Sequence, residues 1–370
     1  MPLTVLQLLP ALEAGGVERG TLEVADALVK KGHRSLVVSG GGQLSDTLIA
    51  AGSEHIMLPV GKKTPFSIRL IPVLRSLILR ENINIVHARS RLPAWLAWFA
   101  WKSLPTGNRT RFITTFHGPY AQNAYSKIMV RGEKVIAVSE YIQRYILQHY
   151  PDTDQKKIEV IPRGISATQY FPDYKPADQW LSDWRREHPQ LAGKFVLCLP
   201  GRISRRKGHE DFIHIINQLV AANHNVHGLI IGSVNKSKLE YLGTLQNMIK
   251  KHQLAKHITF IDHRHDIREI MSVCNVIMSL SRLPEAFGRT VLESLGLGVP
   301  VIAYDIGGVA EIMGRVYPAG LVEHGNISDA LEKITALFSS TPAISSIHEY
   351  QLETMLNRIL GLYESMAPKT

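Results

Sequence analysis

Short, continuously apolar runs alternate with longer stretches of helical period along the whole 370-residue chain. In the first half the runs are 3–9, 35–40, 83–88, 111–117, 134–139 and 158–162; in the second they are 195–201, 226–232, 257–262, 275–281 and 300–305. Unbroken apolarity, as opposed to alternation, marks strands buried on both faces of a parallel sheet. Between them, Val17–Lys31, Ser67–Glu81, Glu140–His149 and Lys207–Ala222 have helical length and periodicity. The pattern predicts two doubly wound α/β domains, which the chain length also favours. Their seam is expected after residues 161–165, ahead of a segment rich in proline and polar residues at 170–178. Segment 346–363 is periodic and no strand follows it, so it reads as a closing helix.

Composition narrows the class. No apolar run approaches the roughly 18 residues of a membrane span, and the first residues read as a strand with no basic leader. Cys198 and Cys274, the only cysteines, make neither a disulfide framework nor a zinc site, and a reducing, cytoplasmic compartment is the expectation. Charge is uneven. Residues 1–165 carry 21 basic against 12 acidic side chains, whereas residues 166–370 carry 21 against 20. The excess centres on 60–111, where ten lysines and arginines face Glu81 alone. Such a belt suits an anionic partner; a solvated basic face is the plain alternative. Trp95, Trp98 and Trp101 lie within it at i, i+3, i+6. They read as a buried helix stripe, and no nucleic-acid module is recognisable, so nucleic acid is not expected as a partner.

Doubly wound sheets bind ligands at the carboxyl ends of their strands, beside helix amino termini. Gly15-Gly16 follows the first strand without a G-x-G-x-x-G fingerprint, and either lets a ligand approach or simply turns the chain. GRISRRKG at 201–208 places Arg202, Arg205, Arg206 and Lys207 at a strand end, where they suit a diphosphate if they are not merely a solvated turn. EAFGRTVLE at 285–293 sets Glu285 in a loop and Glu293 one turn into a helix, with the amides of Gly288–Val291 open to an anion. Carboxylates beside a diphosphate are useful as acceptors from sugar or ribose hydroxyls. A second glycine pair, Gly307-Gly308, follows. His117 ends the strand 111–116, facing the cleft expected between domains, and His87 is placed similarly with weaker support.

Glycines after the first strand, a histidine after a middle strand, G-R-x(4)-K-G opening the second half and Glu-x7-Glu around AFG together resemble glycosyltransferase family four. The similarity runs over nearly the whole chain and is strongest in the second half. It implies the GT-B fold: two Rossmann-like domains, 1–167 and 168–345, facing a central cleft, with residues 346–370 crossing back to the first. By the same resemblance Arg202 and Lys207 would hold the donor diphosphate, Glu285 and His117 would contact the donor sugar, and Glu293 the ribose. Phe287, Gly288, Arg289, Thr290 and Val291 would bind sugar and phosphate through their amides, Gly16 would admit the phosphate, and the backbone near Arg264 would border the base. Pro162-Arg163-Gly164 departs from the family's usual P-N-G.

The expected reaction is retaining transfer from a nucleotide-diphosphate sugar to a lipopolysaccharide-core, lipid-linked or other envelope glycan. No Asp-x-Asp motif ends a strand of the second half, so lysine and arginine are expected to replace a metal, and no cofactor is expected. Segment 67–80 mixes arginines with aliphatic residues. It either lies on an anionic membrane, making the protein peripheral, or packs its aliphatics on the sheet. A nucleotide-sugar epimerase or hydrolase of the same fold, and a protein that only binds anionic surfaces or nucleic acid, are the remaining readings.

Overall fold

A computed structural model of the chain describes residues 2–13, 15–234 and 238–367. It divides into two compact units, Met1–Gly164 with Leu352–Thr370, and Ile165–Gln351. In the first, seven parallel strands run in the order β3-β2-β1-β4-β5-β6-β7. They are β1 (Thr4–Leu8), β2 (Arg34–Ser39), β3 (Glu54–Met57), β4 (Ile85–Ala88), β5 (Arg111–Phe116), β6 (Lys134–Ala137) and β7 (Ile158–Val160). In the second, six parallel strands run β10-β9-β8-β11-β12-β13: β8 (Phe195–Pro200), β9 (Val226–Ile231), β10 (Ile258–Ile261), β11 (Val276–Ser279), β12 (Val301–Tyr304) and β13 (Leu321–Val322). Both units are Rossmann-like α/β layers, as the pattern predicts.

Each sheet is buried because its strands are apolar on both faces. On one side of the second sheet, Cys198, Leu229 and Ile277 pack with Leu292 and Ile312; on the other, Leu197, Ile230 and Met278 pack with Phe212 and Ile216. Helix Leu352–Met366 closes the first unit by inserting Met355, Ile359, Leu360 and Tyr363 beside Val5, Ile85 and Ile113.

Several elements differ from expectation for identifiable reasons. Strands β3 and β13 were not predicted: the first is a half-buried edge without a continuous apolar run, and the second has two residues. The helix expected over 67–81 is a 3₁₀ turn, Pro65–Arg69, leading into helix Leu70–Arg80. Residues 346–351 do not join the closing helix; Ile347 and Tyr350 pack into the second unit's core, and Ile165 pairs with Gln351. The tryptophan stripe is not the buried face of its helix. Pro93, Ala94, Leu96, Ala97 and Ala100 are, because small side chains let helix Arg91–Lys102 approach closely. The indoles sit half-buried at the rim, where Trp95 and Trp101 donate to the carbonyls of Tyr125 and Thr110, and Arg131 lies over Trp95 and Trp98. Nor is the basic belt one solvated face. Arg89 is fully buried, and Arg75, Arg80 and Arg111 bond to Ser103, Glu81 and Glu133.

Candidate functional site

Strands β8 and β11 are neighbours, and the chain proceeds from them in opposite directions across the sheet, so their carboxyl ends form its topological switch point. After β8 the basic segment folds as a 3₁₀ turn, Arg205–Lys207, and breaks at Gly208 with φ +71° before helix His209–Ala221 begins. A Cβ at Gly208 would stand 2.0 Å from the carbonyl oxygen of Leu280, so only glycine lets this turn lie against the loop that follows β11. The two segments are then fastened together. The Arg282 amide donates to the Arg206 carbonyl at 2.8 Å, and its guanidinium forks onto Asp211 at 2.6 and 3.2 Å while reaching Glu210 at 2.8 Å.

This arrangement brings Lys207 to Glu285, with Nζ 2.6 Å from Oε1. The Ser281 hydroxyl donates to the same oxygen. Burial alone would raise the Glu285 pKa, but Lys207, Ser281 and Arg206 outweigh it and hold the carboxyl below its usual range. A small pocket at the strand ends is lined by Pro200, Lys207, Ser281, Glu285, Gly288, Thr290 and Val291. Helix Arg289–Gly296 starts there from Gly288 (φ +100°) with no side-chain cap, leaving first-turn amides for an anion. The Glu285–Gly288 loop is held from behind by Gly308, whose amide donates to the Glu285 carbonyl at 2.8 Å. A Cβ on Gly308 would be 2.4 Å from the Ala286 carbonyl oxygen, which explains the second glycine pair.

Lys207, Glu285, Gly288, Thr290 and Val291 thus share one pocket. Arg202, two positions after the pocket residue Pro200, is exposed and is not among the residues that line the pocket. Phe287 is buried against Tyr350, and Glu293 is buried with Arg289 Nε 3.0 Å from its carboxylate. Arg264 is placed elsewhere. Its guanidinium holds both Asp266 oxygens at 2.9 and 2.8 Å, reaches Glu187 at 3.3 Å and lies over Trp184, none of which lines this pocket. That pairing, first of all, pulls the Asp266 pKa down to about 2.

In the first unit, helix Gly16–Lys30 starts at Gly16, where a Cβ would meet nothing within 4 Å. His117 follows β5, with Nδ1 2.7 Å from Arg163 Nη2. Burial, then Arg163, Arg89 and His87, push its pKa well below the usual range. His87 is wholly internal, sharing hydrogen bonds with the Tyr363 and Thr115 hydroxyls, each at 2.6 Å. It clamps the closing helix to the sheet and is a structural histidine.

Residues 14–169 match the family described as Glycosyltransferase Family 4, and residues 182–352 that of Glycosyl transferases group 1. A glycosyltransferase from Rickettsia africae ESF-5 is 30% identical, with a TM-score of 0.87 over 99% of this chain and 98% of its own. The chain is a family 4 glycosyltransferase. Its fold is GT-B: the structure of Anabaena HepE in complex with UDP and glucose, 20% identical, superposes with a TM-score of 0.80 over 98% of this chain and 100% of that one. The Saccharomyces cerevisiae (strain YJM789) phosphatidylinositol N-acetylglucosaminyltransferase GPI3 subunit is 22% identical over 362 residues, 92% of this glycosyltransferase and 75% of the yeast chain.

Two residues that touch the expected site residues of the glycosyltransferase, one in each unit, escape a reading of the sequence alone. Ser281 lies four positions before Glu285 and carries no motif; only the loop's fold brings its hydroxyl to the carboxylate. Arg163 is visible as a departure from P-N-G, yet its distance from His117 in sequence hides their contact.

Proposed function

We propose that this glycosyltransferase moves a sugar, with retention, from a nucleoside-diphosphate sugar to a lipid-linked glycan of the lipopolysaccharide-core type, without a divalent cation. The observation that carries the reading is the Lys207–Glu285 pair beside an uncapped helix start at the sheet's switch point. Departure of the diphosphate builds negative charge at the phosphate oxygens. Lys207, Arg202 and the amides of Arg289–Val291 stabilise that charge more in the transition state than in the ground state. Glu285, held ionised, accepts hydrogen bonds from sugar hydroxyls, Glu293 serves the ribose, and His117 contacts the transferred sugar. Retention and metal independence rest on the family resemblance and on these fixed cations.

UDP, GDP and ADP sugars screened by thermal unfolding should show one donor that raises Tm. With that donor, Lys207→Ala and Arg202→Ala should each lower kcat about 10²-fold or more, the scale of one preorganised electrostatic contact. Near-native turnover in both would refute the assignment. Activity should survive EDTA, and the anomeric coupling of the product should match that of the donor.

The acceptor reading is supported by the phosphatidylinositol named for the yeast relative and by an exposed surface of the first unit. Met57, Phe66 and Ile68 are 70, 68 and 67% exposed, Lys62, Lys63 and Arg69 are exposed in the same stretch of chain, and Arg69 lies over the Phe66 ring. Among the described residues no helix is long and apolar enough to cross a membrane. This patch is instead suited to rest on an anionic leaflet at the cytoplasmic face, cations on headgroups and apolar side chains at the acyl boundary. The helix that follows it buries Leu74, Leu77 and Ile78, so the membrane surface is narrower than the 60–111 belt. Phe66→Ser with Ile68→Ser should abolish co-sedimentation with anionic vesicles; equal binding to neutral vesicles by the native enzyme would count against it.

A further inference from the structure

Arg163 follows β7, His117 follows β5, and Gly20 lies in helix Gly16–Lys30; the three meet in the first unit. Arg163 Nη2 is 2.7 Å from His117 Nδ1. A guanidinium has donors and no acceptor, so Nδ1 is the bare, accepting nitrogen and the ring proton of the neutral imidazole sits on Nε2. His117 Nε2 is a buried atom without a hydrogen-bond partner among the described residues. The contact has room only because residue 20 lacks a side chain: a Cβ on Gly20 would be 1.9 Å from Arg163 Nη1.

We propose that Arg163 is a positioning residue that locks His117 as the Nε2–H tautomer, a neutral hydrogen-bond donor kept for an oxygen of the sugar nucleotide. The inference rests on the reading of His117 as a donor-sugar contact and adds what sets its chemistry. The surroundings favour the neutral ring: burial is the leading cause, and the charges of Arg163, after β7, and Arg89, just after β4, oppose a second proton; His87, in β4, faces the ring as an uncharged neighbour. A histidine so held cannot accept the acceptor's proton through Nδ1, which Arg163 occupies, and presents Nε2–H without paying for a tautomer change. Arginine in place of the family's usual asparagine supplies the length to reach across Gly20.

The test uses the full chain labelled with ¹⁵N-histidine, the His117 signals being assigned by their loss in His117→Ala. The native enzyme should show a protonated Nε2 and a bare Nδ1. Arg163→Met, similar in length but without a donor, should give a mixture of tautomers and lower kcat/KM about tenfold, the size of one net hydrogen bond. Arg163→Lys, which can still donate, should keep the native tautomer and stay within about threefold of native kcat/KM. Gly20→Ala, a change that helix propensity favours, should displace the guanidinium and reproduce the Arg163→Met spectrum with Tm preserved. In a His117→Ala background, Arg163→Met should add no further loss. Additive losses, or an unchanged tautomer in Arg163→Met, would overturn the positioning role. Full activity of His117→Ala would instead remove the donor-contact reading, while the spectra would still decide whether Arg163 sets the tautomer.

Discussion

At Glu285 the balance of opposing effects decides what the side chain can do. Its burial favours the neutral acid, yet Lys207 at 2.6 Å, the Ser281 hydroxyl and the charge of Arg206 favour the carboxylate and prevail. At neutral pH it therefore accepts hydrogen bonds and does not deliver a proton. The pair is partly shielded from water, so deleting one partner strands the other. Removing Lys207 leaves a negative charge with weaker compensation, a situation costlier than removing both charges. Lys207→Ala should accordingly lower Tm more than Lys207→Ala combined with Glu285→Gln, although the double variant is no more active. If the double variant melts below the single one, Glu285 is solvated without help and the electrostatic account of the pocket is wrong. Ser281→Ala is a different change, a lost neutral-to-charged hydrogen bond, and should reduce kcat/KM by about tenfold or more.

Elements place these side chains, and glycine sets where elements can touch. Gly208 combines a left-handed backbone with a carbonyl 2.0 Å from where its Cβ would be. Gly208→Ala thus meets both backbone strain and collision, and should destabilise the fold by about 2 kcal/mol or more. Urea unfolding gives the number, and a loss below about 0.5 kcal/mol, the scale of an unremarkable surface change, would mean that the basic turn is not pinned as described. This pinning is also where legibility from sequence ends. Buried parallel strands announce themselves as unbroken apolar runs, so eleven of the thirteen strands among the described residues are readable, whereas β3 and β13 lack the length or burial that makes the signal. Lys207, Glu285 and Gly288 are readable because a strand end, a basic turn and a glycine before a helix each carry a local mark. Tertiary features carried none: Ser281 reaches Glu285 through a loop, and Arg264, one turn past a strand, is captured by Asp266 and Glu187. The tryptophans misled because helical spacing alone does not say which face is inward; the alanines beside them take the close approach to the sheet.

Over the whole molecule, buried neutral histidines couple folding to pH. Burial is the leading cause of depression at His87, His117, His209 and His227, and brings the last two to about 4. Each is anchored as an uncharged ring. His227 Nε2 shares a hydrogen bond with the Thr259 hydroxyl at 2.9 Å, and His209 Nδ1 donates to the Ser204 carbonyl at 3.2 Å. In the unfolded chain the same rings take a proton near pH 6.5. As pH falls from about 6.5 towards 4 the unfolded state binds more protons than the native one, so the stability these rings allow at neutral pH is progressively lost. Depressed acids act with the same sign but in a lower window: Asp266, at about 2, weakens folding only as pH drops below the ordinary carboxylate range. The native enzyme should therefore show a urea midpoint that declines steadily between pH 7 and 5, before carboxylates titrate. Replacing His227 with Gln, which keeps a hydrogen-bonding amide and cannot ionise, should flatten that decline even if it lowers stability at pH 7. A midpoint unchanged over this interval would show that the rings take protons as readily in the native fold as in the unfolded chain, and a slope insensitive to His227→Gln would remove His227 from the coupling.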